Sequence, residues 1–136
     1  MNTATLTIGT PLDYQVTNLK RNGVAIAPNV YTWYATVKDA LTLADGSAIR
    51  DISSLSHPLQ FVLTTTQADV RCLTPAESAA LESSITAFTK TGRFVDDQLI
   101  VGEIFMTIIA KTATVGPFLV EHKKLLVVRS ANLVIT

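Results

Sequence analysis

Residues 99–110 read LIVGEIFMTIIA, and almost every position of this run is apolar. A strand presents alternate side chains to opposite faces, so a run apolar at odd and even positions alike must be sheltered on both. Such a strand belongs at the centre of a sheet. The run contains Gly102 and Glu103 and falls short of the roughly 20 residues a membrane-crossing helix needs, so no transmembrane helix is expected. The rest of the chain follows its lead. Valine, isoleucine and threonine are abundant, and these β-branched side chains lose rotamer freedom in a helix while fitting a pleated surface.

Alternation recurs along the chain. Residues 3–8 exchange small or polar residues with apolar ones, and Leu12, Tyr14 and Val16 continue the period beyond Pro11. The spacing predicts two extended segments. Asn22-Gly23 tolerates the positive φ angles of a tight hairpin, so residues 24–27 are expected to return as a short strand that Pro28 stops. Tyr31, Trp33, Ala35 and Val37 then share one face of the next strand, and Thr32, Tyr34, Thr36 and Lys38 share the other. Trp33 is the expected centre of the core. Between residues 39 and 58 the alternation weakens. Asp45-Gly46 predicts a small hairpin there, within a projecting arm of the kind that makes contacts. Leu59, Phe61 and Leu63 resume the strand pattern.

One segment breaks the period of two. In Leu73-Thr74-Pro75-Ala76-Glu77, Thr74 is placed to cap a helix, Glu77 to return the bond and Pro75 to occupy the first turn. Leu81, Ile85 and Phe88 fall at i, i+4 and i+7, which predicts one short helix at about residues 75–88 acting as a lid on the core. After the long run, Gly116-Pro117 marks a turn, and strands are expected at 118–120, 125–128 and 133–135. Short strands separated by turn signals define the expected fold class: mainly β, an immunoglobulin-like antiparallel β-sandwich with one short helix, as a single domain over residues 1–136.

The chain has 136 residues, long enough for one core. Eleven basic and eleven acidic side chains balance, which removes the positive field that gathers nucleic acid or anionic lipid. Only 16% of residues are charged while 48% are hydrophobic. That is a thin charged covering, so some apolar surface is expected to meet another chain. No export sequence is visible, and folding in a cytoplasm is expected.

Residues suited to reactive chemistry are sparse and scattered. Cys72 stands alone, without a disulfide or multi-cysteine metal partner, and reads as a small core side chain. His57 and His122 lack metal-ligand spacing and read as loop or rim residues. No nucleophile elbow or glycine-rich phosphate loop is present. Asp96-Asp97 offers oxygen ligands to a cation without the alternating pattern of a calcium loop. Tyr31, Trp33 and Tyr34 would make a sugar-stacking platform only if they faced outward together, and the alternation places Tyr31 and Trp33 inward. No catalytic residue, metal site or cofactor is therefore expected.

Five features in order carry a resemblance: Asn22-Gly23-Val24-Ala25-Ile26, the strand Trp33-Tyr34-Ala35-Thr36-Val37-Lys38-Asp39, the helix start at residues 73–77, the long strand 99–110 and the valine-rich strand 125–128. This order resembles a small β-sandwich domain of tailed bacteriophages, found at the N-terminus of baseplate upper proteins and in related tail proteins. The resemblance implies a structural virion subunit, from tail, baseplate, adaptor or capsid decoration. Its partners would be other virion proteins and copies of itself, not nucleic acid or membrane. The alternative reading is a carbohydrate- or peptide-binding sandwich module.

Overall fold

A computed structural model of the chain describes residues 2–39, 48–81, 94–95, 98–114 and 116–129. The predicted mainly β, sandwich-like architecture is observed. The larger sheet contains β1 (Asn2–Thr7), β5 (Thr32–Lys38), β6 (Arg50–Ser53), β9 (Phe94–Val95), β10 (Gln98–Lys111) and β11 (Phe118–Val128). Its order is β1-β11-β10-β5-β6, with β9 pairing the start of β10. The long apolar run lies within β10, between β11 and β5, as its two-sided hydrophobicity requires. Ile104, Met106, Ile108 and Ala110 are buried on the inner face, while Phe105, Thr107 and Ile109 are half-buried on the other.

The smaller sheet has the order β2-β8-β7, from β2 (Leu12–Thr17), β7 (Phe61–Leu63) and β8 (Gln67–Leu73). Ala68, Val70 and Cys72 on β8, with Leu12 on β2, join Trp33, Ala35, Val37, Ile104 and Met106 in one core between the sheets. Trp33 has no exposed surface, and its indole nitrogen donates to the Pro28 carbonyl at 2.9 Å. That bond satisfies the one polar atom that would otherwise oppose burial. The carbonyl is presented by a short 3-10 turn, Pro28–Val30, that begins three residues beyond the end of the hairpin's second strand at Ala25, which is shorter than the expected 24–27. The hairpin pairs β3 (Lys20–Arg21) with β4 (Val24–Ala25), and Asn22 and Gly23 at its tip take φ angles of 53° and 78°.

Among the described residues every pairing is antiparallel except one. β1 runs parallel to β11, with Asn2 opposite Lys123 and Thr7 opposite Val128. The expected antiparallel sandwich thus carries one parallel pairing at this edge. Gly9, at φ 92°, and Thr10 form a turn between β1 and β2 that carries the chain from one sheet to the other, so β1 need not pair with its sequence neighbour.

Three further expectations change. Residues 50–53 form the edge strand β6 instead of part of a projecting arm, because Ile52 is only 1% exposed and Ser54 exchanges hydrogen bonds with the Trp33 backbone. The Asp45-Gly46 hairpin lies outside the described residues. Leu59 leaves the strand pattern, since Pro58 starts a 3-10 turn, Pro58–Gln60, that rotates Leu59 into solvent. Residues 118–128 form one continuous strand through Glu121, His122, Lys123 and Lys124 instead of two.

The predicted helix start is present. Thr74 accepts the Glu77 amide at 3.3 Å, and Glu77 accepts the Thr74 amide at 2.9 Å. Helix α1 covers Pro75–Ala79, and Leu81 beyond it is fully buried in the core. The expected contacts of Ile85 and Phe88, and the strand at 133–135, lie outside the described residues.

Candidate interaction surface

Alternation on the smaller sheet sorts its side chains. Leu12, Tyr14 and Val16 of β2 face the core, leaving Asp13, Gln15 and Thr17 outside. On β8 the outward set is Gln67, Asp69 and Arg71. The register places Asp13 opposite Arg71, Gln15 opposite Asp69 and Thr17 opposite Gln67, making a polar ladder across the outer face. Arg71 grips Asp13 through two hydrogen bonds, Nε to Oδ1 at 2.9 Å and a terminal nitrogen to Oδ2 at 3.1 Å. The pair raises the Arg71 pKa, first through the hydrogen bond and then through the carboxylate charge. Gln67 donates to Asp69 at 2.8 Å.

Beside this ladder runs an open groove of about 540 Å³, lined by Asp13, Gln15, Asp69 and Arg71 on one side and by Leu59, Gln60 and Val62 on the other. Gln60 is fixed at both ends of its amide: Nε2 donates to the Arg71 carbonyl at 2.8 Å, and Oε1 accepts from Arg50 at 3.2 Å. Arg50 also forms an ion pair with Glu77, although its Nε lacks hydrogen-bond geometry toward that carboxylate. The groove is therefore tied to β6 and to the cap of α1. Its wall is the unusual part. Leu59 is 97% exposed and Val62 58%, and Leu55, in the same β6–β7 connection, is 76% exposed.

The outer face of the larger sheet is also mixed. Tyr34 points outward as its alternation predicts, with the Lys111 ammonium 5.3 Å from its ring centroid. Thr107 and His122 meet at 2.8 Å, and Lys124 pairs with Glu103 at 3.2 Å. The three aromatics considered for a sugar platform are separated. Trp33 is in the core, while Tyr31 packs edge-on against Phe118 with ring centroids 5.5 Å apart, and the Arg21 guanidinium lies over the same Phe118 ring.

The other candidates stay apart. His57 is hydrogen-bonded at 2.7 Å to Ser56, on an exposed turn, and His122 to Thr107. Neither ring bonds a carboxylate among the described residues, and neither lines the groove. Cys72 is buried, and that burial, helped by the charge of Asp13, pushes its thiol up to about 12. Among the described residues no group of three or more His, Cys, Asp or Glu side chains is placed to hold a metal ion. Asp96 and Asp97 lie outside them. Sequence reasoning missed β8 and with it the ladder, although Ala68, Val70 and Cys72 carry the period of two that marks it. It also missed the exposure of Leu59, for which Pro58 was the signal.

No model of a known protein family matches the chain, and no curated protein matches it.

Proposed function

We propose that this chain is a structural part of a phage-like virion, held to neighbouring proteins by burial of surface left open on the sandwich. One observation carries the proposal: Leu59 and Val62 stand exposed on the wall of a groove beside the paired Asp13–Arg71 and Gln67–Asp69 side chains, and Leu55 is exposed in the same connection as Leu59. Burying a leucine or valine side chain stabilises an interface by about 1.5–3 kcal/mol. A partner that covers Leu59 and Val62 and stops short of the Asp13–Arg71 pair, whose side chains are 51% and 46% exposed, leaves that pair solvated, so little polar desolvation opposes it. Exposed apolar surface rimmed by polar residues marks interaction sites. The neutral net charge suits close packing of many like subunits, because it imposes no long-range repulsion. The feature order shared with tail sandwich domains points to the same setting.

The double variant Leu59→Asp/Val62→Asp tests this. Both side chains are solvent-facing, so the fold should be retained, with a modest fall in the thermal transition because Val62 stands opposite Asp69. Assemblies seen by negative-stain microscopy of the concentrated wild-type protein should be lost or reduced at least tenfold. Unchanged assembly in the variant contradicts this contact surface.

A second reading rests on the groove itself, whose carboxylate, amide and guanidinium groups suit a polar ligand such as a glycan or an extended peptide. A glycan array with hits that Asp13→Ala and Asp69→Ala abolish would favour it over the structural role.

A further inference from the structure

β1 is the outermost strand of the larger sheet among the described residues, and it reads NTATLT, without a charge or a proline. Proteins protect sheet edges with lysines, prolines, bulges or very short strands, because an unprotected edge invites another strand. β1 has none of these devices. Its register with β11 runs without a shift over all six residues.

The hydrogen-bonding direction of each residue follows from one contact. The Ile8 amide donates to the Val128 carbonyl at 2.9 Å. In a parallel pair, alternate residues bond the neighbour, so Leu6, Ala4 and Asn2 also turn their backbone groups toward β11. Thr3, Thr5 and Thr7 turn theirs to the open edge. The Thr7 carbonyl is already taken, since both the amide and the hydroxyl of Thr10 donate to it. Among the described residues nothing bonds the outward backbone groups of Thr3 and Thr5, whose side chains are exposed.

We infer that β1 pairs with β1 of a second copy of the chain, antiparallel about a two-fold axis at Ala4, so that the larger sheet runs continuously through a dimer. This deepens the structural-subunit reading, on which it rests, by naming one partner. The strand is self-complementary in this register. Thr3 faces Thr5 of the partner subunit, and each such pair exchanges both backbone hydrogen bonds, using the free groups and sparing the occupied Thr7 carbonyl. Their side chains stand on the same outer face, where threonine pairs across strands are favourable. Ala4 meets its own copy at the closer, non-hydrogen-bonded position, which a methyl group fits. A two-fold contact of this kind closes on itself and limits the assembly at this edge to two.

Two variants and their combination test the inference by sedimentation and by oxidative cross-linking. Thr3→Glu/Thr5→Glu places like charges directly opposite each other across the dimer, but within each monomer the first lies opposite Lys124 and the second is solvent-facing opposite Leu126, so the folded monomer is retained. Its dimer dissociation constant should rise at least tenfold. Ala4→Cys should form an intermolecular disulfide in air, because Cα atoms at a non-hydrogen-bonded pair are about 4.5 Å apart, within disulfide reach. The same disulfide should vanish when the two glutamates are added. A dimer that persists in Thr3→Glu/Thr5→Glu, with no cross-link from Ala4→Cys, overturns the edge pairing. If that dimer is nevertheless lost in Leu59→Asp/Val62→Asp, the structural reading stands without this contact. A wild-type chain that does not dimerise, together with an Ala4→Cys variant that does not cross-link, overturns the inference outright.

Discussion

Trp33 and Cys72 show how single residues are held by what surrounds them. The Trp33 indole fills the centre of the core and places its nitrogen against the Pro28 carbonyl. Trp33→Ala should therefore cost about 3–5 kcal/mol through lost burial and a residual cavity, measured by urea denaturation. Trp33→Phe should cost less, because it keeps much of the volume and leaves only the carbonyl without its donor. Cys72 and Tyr14 make a pH-dependent prediction. Burial raises the pKa of both, with Asp13 adding to the effect on Cys72 and Glu121 to that on Tyr14. An acid whose folded pKa lies above its unfolded value contributes stability that is complete below the unfolded pKa. That stability is lost as pH rises toward the folded one. Stability should fall from about pH 9 toward pH 12, with a slope approaching about 1.4 kcal/mol per pH unit from Cys72. Cys72→Ala should flatten that slope, and a slope unchanged by the substitution would contradict the assignment. These residues were legible in the sequence, Trp33 from alternation and Cys72 from its solitude.

At the scale of elements, the best-specified feature is the start of α1. Thr74 and Glu77 satisfy each other's exposed amides, and the second carboxylate oxygen of Glu77 holds Arg50 of β6. Thr74→Ala should destabilise the protein by about 1 kcal/mol, as loss of an N-cap does elsewhere, measured as a shift in the unfolding midpoint. Three residue types at fixed spacing made this cap readable. β8 was harder to read: Gln67, Asp69 and Arg71 separate its small apolar residues and give it the look of a polar connection. Only pairing on both sides, with β2 and β7, makes it a strand. Leu59 went the other way, an apolar residue in apparent phase with Phe61 whose backbone is turned out by Pro58. The parallel pairing of β1 was not legible, because alternation shows that a strand exists and which face is apolar, but not its neighbour or its direction.

For the whole molecule, composition and architecture agree. A chain with few charges places its apolar residues in a core shared by two sheets and still leaves Leu55, Leu59, Val62, Val24, Val30 and Leu119 substantially exposed. The mainly β class was readable from β-branched content and alternation, and the central place of β10 from its two-sided hydrophobicity. The proposed interaction surface was not, because it arises where a turn and an edge strand meet beside a ladder that the sequence did not show as a strand. The proposed function is that of a rigid sheet-based block fastened by such surfaces. Sedimentation velocity of the wild-type chain, from low micromolar to millimolar concentration, tests this most directly. Reversible self-association that strengthens with concentration and persists in high salt is expected, because it would rest on apolar burial and backbone pairing. A single monomeric species across the whole range would contradict it.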